Sequence, residues 1–307
     1  MENSWCLVLV LWGDKYAATH INSIVENVFL LSSTCKQVIL MTDRVRGGLD
    51  DRVQQVLFAD DFDRPDFRKN YTIKLALFDP RALPAGTPCV YLDLDTVVIG
   101  DLGRIAALVE SPGDLFMLPP GGLLGFGAAR RLVFRLTRGR RMATGNSSIL
   151  AFHSDMMPNL AMEFLRMKKE GGPPPTVLLN DDLFISWFGQ MKLQSVPKNL
   201  GVMFRREFLT RSKWFGWLRN RMPWVRSRRE SIVAVTFNGL EHKLENLLTL
   251  QDGCFHRDSK GRSGYWSRKE MGLIKEKIVK ASGQLLENRL MVSSGIPVDA
   301  ASENEID

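Results

Sequence analysis

Apolar segments of two kinds alternate along the first hundred residues. Short continuous apolar runs, typical of buried parallel strands, occupy residues 5–12, 37–41, 53–58 and 88–92. Between them, residues 20–32 place apolar side chains three and four positions apart, which predicts a helix, and residues 71–78 predict a shorter one. Strands that alternate with helices predict βαβ units. We therefore expect an α/β fold with a mainly parallel central sheet flanked by helices.

The pattern changes after residue 100. Helices are predicted at 101–110, 156–170 and 181–188, and strands at 147–153, 194–197 and 232–237. Glycine and proline dominate residues 115–127 and predict a loop. We expect one continuous domain over residues 1–250, with an insertion at 203–229. A helical extension is predicted over 251–292, followed by a disordered acidic tail over 293–307.

Composition narrows the class of protein. The chain has 307 residues, 45% of them hydrophobic and 24% charged, which excludes collagen-like, low-complexity and disulfide-scaffold proteins. Its four cysteines lie far apart without a CxxC motif, which indicates buried thiols in a reducing compartment. The first residues lack the basic region of a signal peptide, and the longest uncharged stretch, 115–129, is broken by proline and glycine. We therefore expect a cytoplasmic protein.

The net positive charge lies in one segment, from Arg205 to Arg229. That segment holds nine basic residues and one acid, an excess of +8, whereas the rest of the chain nets −1. It also carries five aromatic residues, Phe208, Trp214, Phe215, Trp217 and Trp224. Such interleaving is typical of segments that lie in the headgroup region of an anionic membrane. Stacking on single-stranded nucleic acid and a solvated basic face are the alternatives. We expect membrane contact on the inner face, and no nucleic acid.

Two aspartates follow the predicted strand 88–92. Asp93 and Asp95 are two residues apart, so in an extended chain both side chains lie on one face. Like charges so close repel each other. A hard divalent cation such as Mn²⁺ or Mg²⁺ would remove the repulsion, because carboxylate oxygens are its preferred ligands. Such a cation can in turn bind a diphosphate. The alternative is that the two aspartates only cap a turn.

With its surroundings, YLDLDTVV resembles the DxD motif of GT-A fold glycosyltransferases. Over roughly residues 5–250 the arrangement is most similar to family 8-type enzymes, which are retaining and use sugar nucleotides. The resemblance implies a Rossmann-like nucleotide-diphospho-sugar transferase fold, a UDP-sugar donor, and Mn²⁺ or Mg²⁺ held by Asp93 and Asp95. It also implies that Asp14 and Tyr16, in the turn WGDKY, lie near uracil, and that Lys74 meets the phosphates.

Two later segments extend the resemblance to the transferred sugar. GNSSILAF places Asn146 and Ser147 where the family has an Asn-Ser pair near the sugar. NDDL places Asp181 and Asp182 in the acidic-polar triplet beside it. The candidate catalytic residues are therefore Asn146, Asp181 and Asp182. Either aspartate could stabilise an oxocarbenium-like state or act as nucleophile, and either could instead cap the helix that begins there.

A third segment departs from the family. TFNG, at 236–239, resembles the family's His-aromatic-x-Gly element, but Thr236 stands where the family has a metal-binding histidine. His242 and Asn238 are nearby substitutes, and His242 is the better donor, so we predict it as the third metal ligand beside Asp93 and Asp95. Histidine nitrogen is a suitable donor for a transition metal such as Mn²⁺.

Two other functions fit parts of the pattern. A phosphatase of the haloacid dehalogenase type would use Asp93 and Asp95 for chemistry, and Asp181 and Asp182 for Mg²⁺. Its motif, however, normally lies on the first strand of the chain. A non-catalytic, membrane-associated homologue of the transferases is suggested by Thr236. We expect instead a hexosyltransferase that acts at the cytoplasmic membrane face on a glycan or lipid-linked acceptor, as in polysaccharide biosynthesis.

Overall fold

The computed structural model describes residues 4–69, 71–121, 126–171 and 175–293. The predicted acidic tail, 293–307, lies outside these ranges except for its first residue. Among the described residues, no helix combines the length and the apolar character that a membrane span requires.

The strands of the described structure range from two to eight residues in length. In chain order they are β1 (Trp5–Leu11), β2 (Cys35–Thr42), β3 (Val53–Leu57), β4 (Pro88–Leu92), β5 (Thr96–Val98), β6 (Leu115–Leu118), β7 (Asn146–His153), β8 (Gln194–Ser195), β9 (Gly201–Met203), β10 (Ala234–Thr236), β11 (Cys254–Arg257) and β12 (Ser263–Trp266).

The helices surround these strands. They are α1 (Ala18–Leu31), α2 (Pro65–Lys69), α3 (Gly103–Ala106), α4 (Ala128–Leu136), α5 (Leu160–Glu170), α6 (Asp181–Gly189), α7 (Phe204–Glu207), α8 (Lys213–Arg221), α9 (Pro223–Glu230), α10 (Leu244–Leu248), α11 (Arg268–Met271) and α12 (Leu273–Ser293). Short 3₁₀ helices form at Thr72–Phe78, Pro175–Leu179 and Leu240–His242.

A seven-stranded sheet in the order β3-β2-β1-β4-β7-β6-β8 forms the centre of the described structure. β1 runs parallel to β2 and β4, and β2 runs parallel to β3. β7 runs antiparallel to both of its neighbours, β4 and β6, and β8 runs parallel to β6. The prediction of a mainly parallel sheet is therefore confirmed.

Both faces of this sheet are buried, which explains the continuous apolar runs of its strands. Alternate residues of β1 enter different cores. Cys6, Val8 and Val10 pack with side chains of α5 and α6 on one face. Leu7 and Leu9 pack with side chains of α1 on the other face. The predicted layer of helices on each side of the sheet is thus confirmed.

A smaller sheet, β5-β10-β9, adjoins the first through the segment that follows β4. β10 runs antiparallel to β5 and parallel to β9. Val97 and Val235 of this sheet share a third core with Trp266, Ile274 and Ile278. The segment predicted as a helical extension therefore packs on the small sheet, and it contains the β11–β12 hairpin as well as α11 and α12.

Several element predictions differ from the structure. The helix predicted over 101–110 spans only Gly103–Ala106. The predicted loop 115–127 begins with β6, because its first four residues pair with β7 and, through Phe116 and Met117, with β8. A strand of four residues is too short for its hydrophobic period to be recognised in the sequence. The helix expected from residue 156 begins at Leu160, because Pro158 disfavours helix before it and Asn159 caps the first turn by accepting from Met162 N at 3.1 Å.

The basic segment 203–229 folds into α7, α8 and α9. Its one acid, Glu207, is buried, and its Oε1 accepts from Arg228 at 2.6 Å and from Arg229 at 2.7 Å. Phe208 is buried as well. Phe204 is buried too, and the remaining four aromatic residues of 203–229 are exposed: Trp214, Phe215, Trp217 and Trp224. The segment is therefore anchored from inside by an ion pair and presents aromatic rings to its surroundings.

Candidate active site

Two turns meet at the carboxyl ends of neighbouring parallel strands. Asp14 and Tyr16 follow β1, and Asp93 and Asp95 follow β4, which pairs with β1 in parallel. Ligands of open α/β sheets bind beyond this edge. There the structure has a cleft of about 910 Å³, lined by these four residues and by Lys74. The fold thus brings together the residues predicted to contact the base, the phosphates and a cation.

The β1–α1 turn supplies an aromatic wall of the cleft. Tyr16 is half-buried and its ring lies 4.6 Å, centroid to centroid, from that of His20. His20 Nε2 lies 2.6 Å from Leu94 O, between the two aspartates. Burial, and then the charges of Asp95 and Asp93, raise the pKa of Tyr16, so its phenol is neutral. Asp14 is exposed and pairs with Arg44.

Lys74 is the central cation of the site. Its Nζ lies 2.6 Å from Asp93 Oδ1 and 3.8 Å from Asp181 Oδ2. Tyr91 Oη donates to the same Asp93 oxygen at 2.5 Å. Burial alone would lower the pKa of Lys74, but the charge of Asp93 above all raises it well above the usual value. Burial likewise opposes ionisation of Asp93, yet Lys74 keeps the pKa of that carboxyl low. Both groups are therefore charged at neutral pH.

The negative charge of Asp95 is less well balanced by its neighbours than that of Asp93. Its Oδ1 accepts from Thr236 Oγ1 at 3.1 Å, a contact made possible because β10 pairs with β5 directly after the DxD motif. Burial, and then repulsion by Asp93, raise the pKa of Asp95 to about 6. The pair of carboxylates therefore holds an excess of negative charge that a cation would offset.

The donor atoms at this edge fit a hard divalent cation. Lys74 and Tyr91 engage Asp93 Oδ1, which leaves Asp93 Oδ2 and the carboxylate of Asp95 as oxygen ligands. Two further polar atoms in the described part of the chain, Thr96 Oγ1 and Asn238 Oδ1, are buried without a hydrogen-bond partner. Both residues line the cleft. Unpaired buried polar atoms are rare in native proteins, so a polar ligand suits this wall.

A second cluster joins the starts of β7 and α6. Ser147 N donates to Asp182 Oδ1 at 2.6 Å, and Ser147 Oγ donates to Asp181 Oδ2 at 2.6 Å. Asn146 Nδ2 donates to Asp182 Oδ2 at 3.3 Å. The side-chain cap of α6 is Asn180, whose Oδ1 accepts from Leu183 N at 3.3 Å. Capping is therefore the role of Asn180, and the two aspartates instead bind the start of β7.

The two clusters are connected. Asn146, Ser147, Asp181 and Asp182 do not line the 910 Å³ cleft, but Lys74 contacts Asp181 as well as Asp93. Burial raises the pKa of Asp181 to about 6, against the opposing effect of Lys74. A second link comes from the cleft wall, where Asn238 Nδ2 donates to Asn146 Oδ1 at 3.4 Å.

The structure does not bring His242 to Asp95. Asn238, Gly239 and Lys243 line the cleft, but His242 between them does not. His242 is buried outside the cleft, with Nδ1 2.8 Å from His256 Nε2 and Nε2 3.7 Å from Asp258 Oδ2. From this segment it is Thr236 that contacts Asp95. The predicted role of His242 as third metal ligand therefore finds no support in this arrangement.

The surroundings of His242 hold an ion pair. Glu241, His242 and Asp258 offer ligand atoms within 4.8 Å of one another. However, both oxygens of Asp258 accept from Arg262, at 2.7 Å to its backbone N and 2.6 Å to Nε. Burial and the neighbouring His256 lower the pKa of His242. The guanidinium supplies the positive charge that a metal would otherwise bring.

Sequence reasoning missed two contacts of the site. Tyr91 precedes Asp93 by two residues, so the spacing that pairs Asp93 with Asp95 also pairs Tyr91 with Asp93. That signal was available in the motif. His20, which the pattern assigned only to a helix, contacts the ring of Tyr16 and lines the cleft. The four-residue spacing of Tyr16 and His20 is a local signal for the ring contact, whereas the contact of His20 Nε2 with Leu94 O depends on how α1 packs against the end of β4.

The chain was compared with known proteins. No protein-family model matches it, and no curated protein matches it in sequence. Solved structures do match. The bifunctional glycosyltransferase WbbM, in its apo form, aligns over 94% of this chain with a TM-score of 0.55 and 13% identity. This chain spans about half the length of WbbM, 52%. The galactosyltransferase LgtC, in complex with donor and acceptor sugar analogues, aligns over 91% of this chain and 95% of its own, with a TM-score of 0.50 and 12% identity.

The chain has the GT-A glycosyltransferase fold. The fold predicted from the strand pattern and the DxD motif is therefore confirmed. At such low identity the likeness concerns the fold, and the assignment to family 8 within GT-A stays a prediction. Function has to be argued from the site itself.

Proposed function

We propose that the protein is a glycosyltransferase that moves a hexose from a UDP-sugar to a glycan or lipid-linked acceptor. The observation that carries the proposal is the cluster of Lys74, Asp93 and Asp95 in the cleft where β1 and β4 end. A nucleoside diphosphate is an anion that binds together with a divalent cation. The buried lysine suits its phosphates, and the pair of carboxylates suits its cation. The glycosyltransferase fold supports the same class of reaction.

The donor would lie along the cleft. Tyr16, a neutral and half-buried ring, offers a surface on which the uracil can stack, with Asp14 beside it at the mouth. The ammonium of Lys74 has three N–H donors, and its ion pair with Asp93 leaves donors for the phosphates. Preorganised donors of this kind stabilise the charge that develops on a departing diphosphate.

Asp93 and Asp95 would hold Mn²⁺ or Mg²⁺, which supplies charge neutralisation for the diphosphate leaving group when bound. The chain itself prepares this site. Lys74 keeps Asp93 ionised, and Thr236 orients Asp95 through its hydroxyl. His242 is not a metal ligand in the proposed site, because its ring contacts that of His256.

The second cluster would act on the sugar. Ser147 holds Asp181 and Asp182 through two short hydrogen bonds, so neither carboxylate has to be ordered during the reaction. A carboxylate fixed in this way can stabilise an oxocarbenium-like state or attack the anomeric carbon, which gives retention of configuration. Asn146 would contact the sugar, since it bridges Asp182 and the cleft residue Asn238.

We further propose that the enzyme is cytoplasmic and docks on the anionic inner face of a membrane through the segment 205–229. Trp214 and Trp224 are exposed among basic side chains that net +8 over this segment. Exposed aromatic rings and basic groups together favour the headgroup region. Docking would present the site to a membrane-borne acceptor.

The phosphatase alternative is less well supported by the same contacts. It requires Asp93 as nucleophile, but Lys74 and Tyr91 both engage Asp93 Oδ1. The motif also follows β4 in the interior of the sheet, and not the first strand of the chain.

Titration calorimetry of UDP into the protein, with and without Mn²⁺, tests the proposal. We expect binding that needs Mn²⁺ and that is lost in Asp95→Ala, with an unchanged circular dichroism spectrum. Asp51→Ala, an exposed aspartate away from the cleft, is the matched control. Binding by Asp95→Ala equal to that of the control would refute the metal assignment. If UDP does not bind under either condition, a phosphatase assay and then the non-catalytic alternative become the next tests.

A further inference from the structure

The apolar face of helix α4 points away from the protein, whereas the apolar face of an ordinary surface helix points toward the core. Ala129, Leu132, Val133 and Leu136 follow the i, i+3, i+4, i+7 spacing of an apolar stripe, which in a globular protein faces the core. Here no residue of α4 is buried. Leu132 is 55% exposed, Val133 43% and Leu136 75%.

The opposite face of α4 is the one that contacts the protein. Arg131 Nη2 donates to Leu193 O at 3.4 Å, and the Nε atoms of Arg130 and Arg131 are buried. Phe134, on the same face, lies with Trp187 of α6 against Gly139. The helix thus contacts the protein through Arg131 and the ring of Phe134, while its aliphatic stripe points outward.

The stripe belongs to a strongly basic stretch of the chain. Residues 128–141 contain six arginines and no acid: Arg130, Arg131, Arg135, Arg138, Arg140 and Arg141. A water-exposed patch of leucine and valine is unfavourable unless it contacts an apolar partner. A partner that is apolar at its centre and negatively charged at its rim matches both properties, and an anionic lipid bilayer has this arrangement.

We infer that α4 is a membrane-insertion helix, which lies in the plane of an anionic bilayer with Leu132, Val133 and Leu136 among the acyl chains. The exposed arginines of this stretch, Arg135, Arg138, Arg140 and Arg141, would then contact lipid phosphates. The residues of this surface are not part of the segment 205–229, since α4 lies between β6 and β7. The bilayer contact itself does not depend on the proposed sugar transfer.

The position of α4 connects membrane binding with the candidate active site. This connection rests on the proposed function. The chain leads from α4 through residues 137–145 into Asn146, which bonds Asp182. A bilayer held at α4 would therefore bring a lipid-linked acceptor to the sugar side of the site. The nucleotide side of the site, lined by Tyr16 and Lys74, is formed by elements other than α4.

Insertion can be measured directly with a fluorescent label at Val133. Three of the four cysteines are buried, so a Cys254→Ser background carrying Val133→Cys is labelled at one position with the environment-sensitive dye NBD. We expect a blue shift and a rise in NBD fluorescence on vesicles of phosphatidylglycerol and phosphatidylcholine, and none on pure phosphatidylcholine. Leu30→Cys in the same background is the control, because Leu30 is a comparably exposed leucine, 74%, on α1. An equal response from both labels would overturn the inference.

Vesicle sedimentation of unlabelled variants gives an independent measure. Leu132→Ser with Leu136→Ser should lower partition into the anionic vesicles about tenfold or more, since both leucines would lose their burial. Leu30→Ser should leave it unchanged. Unchanged partition of the α4 variant, or a wild-type dimer in solution that this variant dissociates, would overturn the inference.

The same variant separates this inference from the proposed function. UDP binding is measured without lipid and should be the same in the α4 variant and the wild type. Failure of UDP to bind the wild type would refute the donor site but would leave the vesicle result unaffected.

Discussion

At the scale of single residues, Asp93 and Asp95 differ because one has a counter-ion and the other does not. Lys74 lies 2.6 Å from Asp93 Oδ1, whereas the hydrogen-bond donor to Asp95 is the neutral hydroxyl of Thr236. The pKa of Asp93 is therefore lowered and that of Asp95 is raised to about 6. A motif of two identical residues thus contains one carboxylate whose charge is balanced by Lys74 and one whose hydrogen-bond donor is neutral.

This difference predicts a pH-dependent effect of Asp95→Asn. A raised folded-state pKa means that the folded protein binds the proton more tightly than the unfolded chain, so ionised Asp95 destabilises the fold above about pH 6. Near pH 7.5, without metal, the variant should have a free energy of unfolding higher than wild type by about 2 kcal/mol. The gain should shrink as the pH falls below about 6 and vanish at about pH 3, below the ordinary aspartate pKa of 3.8, where Asp95 is protonated in both states.

Urea unfolding at the two pH values measures this effect. Asp51→Asn, an exposed aspartate, serves as control and should show no such gain at either pH. Mn²⁺ should stabilise the wild type and not Asp95→Asn. A variant less stable than wild type near pH 7.5 would contradict the assigned repulsion between the two carboxylates.

At the scale of elements, the helices of the basic segment depend on one buried acid. Arg229 is 2% exposed and its Nη2 donates to Asn220 Oδ1 and to Glu207 O, while its Nη1 donates to Glu270 O. With the ion pair to Glu207, these bonds tie α7, α8, α9 and α11 together. The exposed tryptophans are therefore presented by a fixed group of helices and not by a free loop.

Glu207→Ala should accordingly destabilise the protein by about 3–5 kcal/mol, because it leaves Arg229 buried without a counter-charge. Urea unfolding measures the loss. Arg211→Ala removes an exposed charge of the same segment and should change stability by less than about 0.5 kcal/mol. The double variant Glu207→Ala, Arg229→Leu should recover part of the loss. Equal stability of Glu207→Ala and Arg211→Ala would show that the buried ion pair does not anchor these helices.

At the scale of the whole molecule, charge is distributed very unevenly. The segment 205–229 nets +8 and the remaining chain −1, although 128–141 alone carries six arginines. The acids that balance those arginines therefore lie elsewhere on the molecule. An uneven distribution of this kind orients a protein at an anionic surface, and the attraction weakens as salt screens it.

Replacing Trp214 and Trp217 by serine should therefore weaken binding to anionic vesicles without affecting hydrolysis of free UDP-sugar. Both rings are exposed, so the fold loses little by their removal. Vesicle sedimentation at low and moderate salt measures the first effect, and release of UDP measures the second. Unweakened sedimentation of the double variant would count against docking through 205–229.

Local patterns alone determined the α/β class, the order of the main strands and helices, and the DxD motif after β4. They could do so because a strand buried on both faces is recognisable as a continuous apolar run, and because a spacing of two residues fixes which side chains share a face. The same local rule would have found Tyr91. These features depend on residues that are neighbours in the chain.

Only the tertiary structure decided which groups meet across the chain. Thr236 reaches Asp95 from 141 residues away and Ser147 reaches Asp182 from 35. His242 meets His256 outside the cleft, and Asn180 takes the cap that either aspartate could have made. The spacing of α4 predicts an apolar stripe but not that it faces outward. Such outcomes depend on how distant elements pack, and no periodicity encodes the partner that a side chain finds after the chain has folded.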